Sequence, residues 1–173
     1  SGIFGGSALK HVELPRTLKR IGYSVFEGCR SLSEIRLPEG LEFIGKTCFA
    51  RSGLQSVVFP SSLRTVAQEA FSGCRELRKA VLNDGLEYIG RVCFSNSGLE
   101  EISLPASVRT VGTAAFYGCE CLRRAELNDG LQVLGGEWYN GKKSTDGAVF
   151  AGSGLESVRI PSTVRALEAS TFF

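Results

Sequence analysis

The sequence predicts a mainly β solenoid in which about seven short repeats stack their strands in parallel. Leucines recur at spacings of 22 or 23 residues, apolar and polar residues alternate after each leucine, and a turn-forming residue ends each alternation. Because no single repeat can bury its own apolar side, stacked neighbours must form one continuous core. The repeats open at Leu9, Leu32, Leu54, Leu77, Leu99, Leu122 and Leu155.

Each repeat follows the pattern L-x-x-I-x-L-P-x-x-L-x-x-I-G-x-x-A-F-x-x-C. The L-x-x-I-x-L segment has the two-residue period of a half-buried strand, and the proline after it ends the strand. Two repeats have Asn83-Asp84-Gly85 and Asn128-Asp129-Gly130 at this place, which we attribute to turn formation and not to calcium binding. The A-F-x-x-C segment is expected to form one helical or 3₁₀ turn.

The combination of L-x-x-I-x-L-P with I-G-x-x-A-F-x-x-C resembles the BspA-like class of leucine-rich repeats over nearly the whole chain. The repeat that opens at Leu32 carries the pattern in Ile35, Leu37, Pro38, Leu41, Ile44, Gly45 and Phe49. The resemblance implies a leucine-rich-repeat solenoid with curved, parallel strands. It also implies a protein that adheres to or binds other proteins, without catalytic residues or a cofactor.

We expect one domain over residues 1–173, with an inserted loop at about residues 135–147 that lengthens the last leucine spacing from 22 to 33. Phe4 and Phe172 both fall on the phenylalanine position of the repeat, so the chain is expected to begin and stop inside a repeat. A solenoid needs polar caps at its ends. We therefore expect a fragment of a longer chain, or a subunit whose ends are covered by partners.

Charge and hydropathy argue against two classes of binding partner, nucleic acid and the interior of a membrane. The 20 basic and 18 acidic residues are interleaved along the chain and leave a net charge of +2, without the basic stripe that nucleic acid requires. No apolar run reaches the roughly 18 residues that span a bilayer, so no direct membrane insertion is expected. The compartment stays open, because unpaired thiols favour a reducing one whereas the family resemblance allows the cell surface.

One segment matches a catalytic motif. Residues 40–47 satisfy G-x-x-x-x-G-K-[ST], the pattern of a phosphate-binding loop. Leu41 and Ile44 are also repeat positions, so we expect the segment to be tied into the core. A second near match at residues 136–143 fails because Lys143 stands where serine or threonine is needed. We predict that the chain is not an enzyme and keep a nucleotide-binding enzyme as the remote alternative.

The six cysteines and the single histidine are also interpreted structurally. Equivalent cysteines such as Cys29 and Cys74 lie two turns apart, which is too far for a disulfide, so we expect buried structural thiols. Cys119 and Cys121 lack the spacing of a zinc site. His11, beside Glu13, is expected to be a solvated strand residue.

Two places differ from the repeat background and are predicted to bind a partner protein. The insertion holds the first set, which is Trp138, Tyr139, Lys142 and Lys143. Aromatic residues on a protruding loop are typical of interface anchors. The alternative, a tolerated insertion whose tryptophan folds back on the solenoid, stays open.

The second place is the exposed face of the strands. Val58 and Val81 should be neighbours in the stack and form a small apolar spot, with the charged Arg36 one repeat earlier. Scattered apolar surface residues are common, so an inert surface stays the competing interpretation. The predicted function is therefore a non-enzymatic interaction or scaffold module. The alternative is an accessory or linker subunit built permanently into a large multi-protein complex, such as a membrane complex.

Overall fold

The structure is a computed structural model that describes residues 2–136, 147–165, 167 and 171–172, together with the backbone of residues 138–139 and 142–143. Its main element is a six-stranded parallel sheet in the order β1-β2-β4-β6-β8-β10. These strands are β1 Arg20–Ile21, β2 Phe43–Ile44, β4 Thr65–Val66, β6 Tyr88–Ile89, β8 Thr110–Val111 and β10 Val133–Leu134. In each strand the second residue is a buried aliphatic, so the sheet supplies one wall of the core.

The predicted parallel-strand solenoid is confirmed, but its number of turns differs. The six strands of the main sheet define about five turns, whereas the leucine spacing predicts about seven repeats. At both ends the stack continues mainly through turn hydrogen bonds, such as Phe4 N–H to Val25 O (2.9 Å) and Phe150 N–H to Thr171 O (2.8 Å). Beyond β10, the described residues continue the strand ladder through a bridge between Leu134 and Leu167.

The L-x-x-I-x-L segments form a second set of strands. They are β3 Ser56–Val58, β5 Lys79–Val81, β7 Glu101–Ser103 and β9 Arg124–Glu126. These strands pair in twos, β3 with β5 and β7 with β9, both in parallel. The sequence predicts strands here but none in the L-x-x-I-G segment, which builds the larger sheet. Strands of two residues are too short to show the alternation on which that prediction relied.

The A-F-x-x-C segments are irregular turns, and no helix occurs among the described residues, so the predicted helical or 3₁₀ turn is wrong. Their backbone N–H groups alternate between two kinds of acceptor. Thr47 donates to Gln68 O in the next turn (3.0 Å), whereas Cys48 donates to Gly45 O three residues back (3.3 Å). A helix would need all of these donors within one segment. The positive φ of Thr47 (53°) and Arg51 (57°) also lies outside the right-handed helical region.

A column of phenylalanine rings runs through the described solenoid. Eight rings, one per repeat, stack nearly parallel with centroids 5.1 to 5.9 Å apart between successive repeats. They are Phe4, Phe26, Phe49, Phe71, Phe94, Phe116, Phe150 and Phe172. Leucines of the repeat, including Leu32, Leu54 and Leu77, are fully buried beside them. The apolar ladders inferred from the spacing are therefore the core.

Candidate functional site

The strand face brings Val58 and Val81 together. The ladder of β3 and β5 places Val58 directly opposite Val81, so the two side chains lie on the same face of neighbouring turns. Val58 is 56% exposed and Val81 is half-buried. Arg36 is exposed and belongs to the preceding repeat, whose L-x-x-I-x-L segment forms no strand. The pair is thus an apolar spot on a rigid backbone.

Charged residues surround this spot on one side. A shallow groove of about 260 Å³ runs between β5 and β7, the two strands of this face that do not pair with each other. Lys79, Glu101, Arg124 and Glu126 line it together with Val81. Ser103 donates a hydrogen bond to the Glu126 carboxylate (3.2 Å). An apolar centre with a mixed polar rim has the composition of a small protein interface.

The insertion contains an antiparallel hairpin. Its strands are β11 Trp138–Tyr139 and β12 Lys142–Lys143, with Trp138 opposite Lys143 and Tyr139 opposite Lys142. The sequence Asn140-Gly141 between them is a strong hairpin signal that sequence analysis did not use. The contacts of these four side chains lie outside the described residues. The hairpin follows β10, a strand of the six-stranded sheet. It is therefore connected to that sheet and not to the strands that carry Val58 and Val81.

The repeat resumes after the insertion as if nothing had intervened. The Ala114 N–H donates to Gly147 O (3.1 Å), just as the Val92 N–H donates to Thr113 O (2.9 Å) one turn earlier. Phe150 then takes its place in the ring column, 5.4 Å from Phe116. The two predicted binding places therefore occupy different segments of the solenoid.

The phosphate-loop match is part of the core, as its repeat position predicts. Leu41 and Ile44 are fully buried. The backbone donors that such a loop would aim at phosphates serve neighbouring turns instead. They are Gly40 N–H to Ser62 Oγ (2.9 Å), Glu42 N–H to Lys19 O (2.8 Å), Gly45 N–H to Ile21 O (2.9 Å) and Thr47 N–H to Gln68 O (3.0 Å). Residues 136–143, the second near match, fall partly outside the described residues.

The turn and histidine interpretations agree with the contacts. Asn83 Nδ2 donates to Phe59 O (2.6 Å) and Asn128 Nδ2 donates to Pro105 O (2.8 Å), so each asparagine joins its turn to the preceding one. His11 Nε2 lies 3.9 Å from the Glu13 carboxylate, and both side chains are exposed. Among the described residues no group of three or more histidine, cysteine or acidic side chains is arranged to hold a metal ion. Nor does any helix in that part have the length and apolar character to cross a membrane.

Three cysteines form a link that repeats every second turn. The thiols of Cys29, Cys74 and Cys119 donate to the carbonyl oxygens of Phe4, Phe49 and Phe94, respectively, at 3.0 to 3.1 Å. Each thiol also lies 3.4 to 3.6 Å from a serine hydroxyl of the neighbouring repeat. None of the six cysteines forms a disulfide. Five are buried as predicted, but Cys121 is exposed.

Burial of these thiols gives a prediction about alkaline pH. Removal from water raises the pKa of the Cys74 thiol from 9.0 to about 11. The unfolded chain therefore ionises first, and the stability from this thiol is present below pH 9 and lost as the pH rises through 11. We expect Cys74→Ala to cost about 1 kcal/mol at neutral pH and to show a smaller further loss across this range.

Urea unfolding of the two proteins at pH 7 and at several points between pH 9 and pH 11 measures this difference. Cys121→Ala is the control, because an exposed thiol should leave the pH dependence of the parent unchanged. Equal slopes for the parent and Cys74→Ala would show that burial of this thiol has no energetic consequence.

A further surface, which is partly exposed, was missed from the sequence. The first residues of the six short strands form a column on the outer side of the main sheet, and the Arg20 guanidinium lies over the Phe43 ring at 4.1 Å. Tyr88 and the 38% exposed Val133 belong to the same column. Each member of the column directly precedes the buried aliphatic residue of its strand. The sequence would have predicted the column if the L-x-x-I-G segment had been recognised as a strand.

Comparison with known proteins shows similarity to leucine-rich-repeat proteins. The family model for the BspA type leucine rich repeat region matches residues 1–123 with six copies. The chain belongs to the BspA-type leucine-rich-repeat family. Comparison with curated protein sequences gives no significant match.

Solved structures agree with this assignment. A leucine-rich-repeat protein from Bacteroides ovatus is 27% identical with a TM-score of 0.76, and the match covers 87% of this chain and 37% of that one. A T. pallidum leucine-rich-repeat protein is 33% identical with a TM-score of 0.72, covering 76% and 63% of the respective chains. A Eubacterium ventriosum protein, 15% identical with a TM-score of 0.77 over 91% and 41%, shares the fold. The BspA-type chain thus spans less than two thirds of each of these proteins.

Proposed function

We propose that this BspA-type solenoid is a non-enzymatic protein-binding module, in which the stacked turns supply a rigid surface and two features, the Val58–Val81 pair and the hairpin, contact a partner protein. The observation that carries the proposal is the Val58–Val81 pair. Val58 keeps 56% of its surface exposed, although it stands in a paired strand over the hydrophobic core. Association would bury this pair, while the charged groove beside it would select the partner by electrostatic complementarity.

The hairpin of residues 138–143 is the second proposed contact. The hydrogen bonds and the ring column that connect the turns on either side do not depend on it, since Gly147 and Phe150 occupy ordinary repeat positions. An element that the stack does not require is free to serve binding. Its sequence supplies two aromatic and two basic residues, Trp138, Tyr139, Lys142 and Lys143. Aromatic side chains of this kind provide most of the binding energy in many interfaces.

Affinity capture with three variants tests the proposal. The first is Val58→Asp with Val81→Asp, the second is Trp138→Ala with Tyr139→Ala, and the control is Tyr23→Ala, which removes a 71% exposed aromatic residue outside both places. For a partner captured by the parent chain, we expect each double variant to weaken binding by ~10-fold or more. Tyr23→Ala should bind as the parent does.

Calorimetric titration with the recovered partner measures the affinities, and thermal unfolding verifies that each variant is folded. If both double variants bind the partner as tightly as the parent does, these surfaces are not the interface. A loss that Tyr23→Ala shares equally would indicate a general effect on the solenoid.

A further inference from the structure

A charged column crosses the described solenoid beside the main sheet. It takes one residue from each repeat, two positions before the aliphatic residue of the ladder, which is buried in every turn except at Leu167, and all its members are exposed. Backbone hydrogen bonds place consecutive members in neighbouring turns, for example Arg64 N–H to Glu42 O (3.0 Å) and Gln132 N–H to Arg109 O (2.9 Å). The members in order are Lys19, Glu42, Arg64, Glu87, Arg109, Gln132 and Arg165.

The side-chain charges of this column alternate in sign, and the alternation then stops. From Lys19 to Arg109 every residue has neighbours of opposite charge, and the Lys19 ammonium lies 3.2 Å from the Glu42 carboxylate. The next repeat has the neutral Gln132 where the alternation requires an acid, and Arg165 follows with a second positive charge. Two guanidinium groups therefore flank a position that lacks its negative charge.

An open cavity of about 430 Å³ lies at this break. Among the described residues its lining contains no acid and consists of Arg109, Gly130, Gln132, Ser162, Thr163 and Arg165. Two guanidinium groups, two hydroxyl groups and a side-chain amide thus surround the space. All of these groups can donate hydrogen bonds.

The Arg109 side chain is already oriented. One of its terminal nitrogens donates to Ala106 O (2.7 Å) and Gly130 O (3.2 Å), so the guanidinium is fixed at the edge of the cavity and retains further N–H groups. The nearest acid in sequence, Asp129, is engaged by Arg159 at 3.3 Å. The other acid of the column near Arg109, Glu87, belongs to the preceding turn. Neither lines the cavity.

We infer that this cavity binds a carboxylate side chain of an acidic segment in a partner protein, which supplies the charge missing at Gln132. This inference rests on the proposed protein-binding function and adds a third contact to it. A guanidinium can hold a carboxylate through two parallel hydrogen bonds, and the hydroxyl groups of Ser162 and Thr163 can complete the site. The partner carboxylate would supply the charge that Glu42 and Glu87 supply in two earlier repeats.

A fluorescently labelled hexaglutamate peptide tests the inference by anisotropy titration of the chain at low ionic strength. We expect saturable binding that weakens with salt, since exposed charges are screened. Arg165→Gln removes one guanidinium, and Gln132→Glu fills the gap with the chain's own carboxylate. Each should lower the affinity for the peptide by ~10-fold.

Arg64→Gln is the matched control. Arg64 lies in the same column between Glu42 and Glu87, and its substitution removes the same net charge as Arg165→Gln does. It should change the affinity by less than ~2-fold if the effect is local. Thermal unfolding should show that Gln132→Glu is at least as stable as the parent, because the added carboxylate completes the alternation.

Several outcomes would overturn the inference: no peptide binding to the parent, undiminished binding to Gln132→Glu, or equal losses for Arg64→Gln and Arg165→Gln. Competition with inorganic phosphate then distinguishes a site for an acidic protein segment from a site for free anions. If phosphate binds this site as tightly as the peptide, the site serves free anions and the assignment to an acidic partner is wrong. No natural partner enters this experiment, so its failure leaves the test of Val58, Val81 and the hairpin intact.

Discussion

Replacing Phe71 with alanine is expected to lower the free energy of unfolding by about 4 kcal/mol. The Phe71 ring is fully buried, with Phe49 and Phe94 stacked on its two sides at 5.1 and 5.4 Å and Phe59 tilted against it at 5.6 Å. Its backbone is tied to the next turn by the N–H to Cys93 O bond of 2.8 Å. The neighbouring rings therefore cannot move in to fill the space, and most of a cavity should remain.

The position of Phe71 also affects cooperativity. In a stack, each turn contacts only its neighbours, so a weak turn near the middle uncouples the two halves. We expect the urea transition of Phe71→Ala to move to lower concentration and to become broader, as followed by circular dichroism. Tyr23→Ala, which truncates a 71% exposed ring, should stay within about 0.5 kcal/mol of the parent. A cost below about 1 kcal/mol for Phe71→Ala would contradict the view that the ring column forms the core.

The second large effect is expected from Gly53→Ala, which should cost about 3 kcal/mol through overpacking. A Cβ atom at Gly53 would lie 2.1 Å from Arg30 O and 2.9 Å from Arg30 C. Both atoms belong to the backbone of the preceding turn, so a rotation of a side chain cannot relieve the overlap. The Gly53 N–H donates to Cys29 O (3.1 Å), which holds the two turns at this distance. The variant must therefore open the stack.

Gly22→Ala is the matched control for Gly53→Ala. A Cβ atom at Gly22 would meet only Val25 Cγ2 at 3.8 Å, and neither glycine has a positive φ. The control should thus be neutral or slightly stabilising, because alanine reduces the entropy of the unfolded chain. Denaturant unfolding of both variants gives the comparison. Equal effects would mean that the approach of Arg30 to Gly53 does not limit the packing.

This close approach explains the alternation of 22 and 23 residues between leucines. The extra residue of the longer spacing lies between the phenylalanine and the following leucine, and the shorter turn places a glycine against that loop. Gly98 and Gly154 occupy the same place as Gly53, and a Cβ atom there would lie 2.3 Å from Arg75 O and 2.4 Å from Glu120 O, respectively. Two unlike turns therefore fit together as one unit of 45 residues. The strands that pair, β3 with β5 and β7 with β9, belong to repeats separated by the longer leucine spacing.

Part of the candidate site could be predicted because a repeat converts sequence position into spatial position. Val58 and Val81 are equivalent residues of consecutive repeats, so their juxtaposition required only the stacking rule. The groove between β5 and β7 could not be predicted, because it depends on which neighbouring strands form hydrogen bonds. The missing charge at Gln132 is visible in the sequence, but its exposure beside Arg109 and Arg165 is not.

The sequence by itself determined the stacking of repeats, the composition of the apolar ladders and the burial of the repeated cysteines. These properties follow from periodicity, since an apolar residue that recurs at the same place in every turn can be buried only against its equivalents. Only the tertiary structure decided which segments form the continuous sheet, that the phenylalanine segments are turns without a helix, and that about five turns join in the strand ladder. The physical reason is that backbone donors such as those of Thr47 and Cys48 choose between partners in their own turn and in the next, and side-chain patterns do not record that choice.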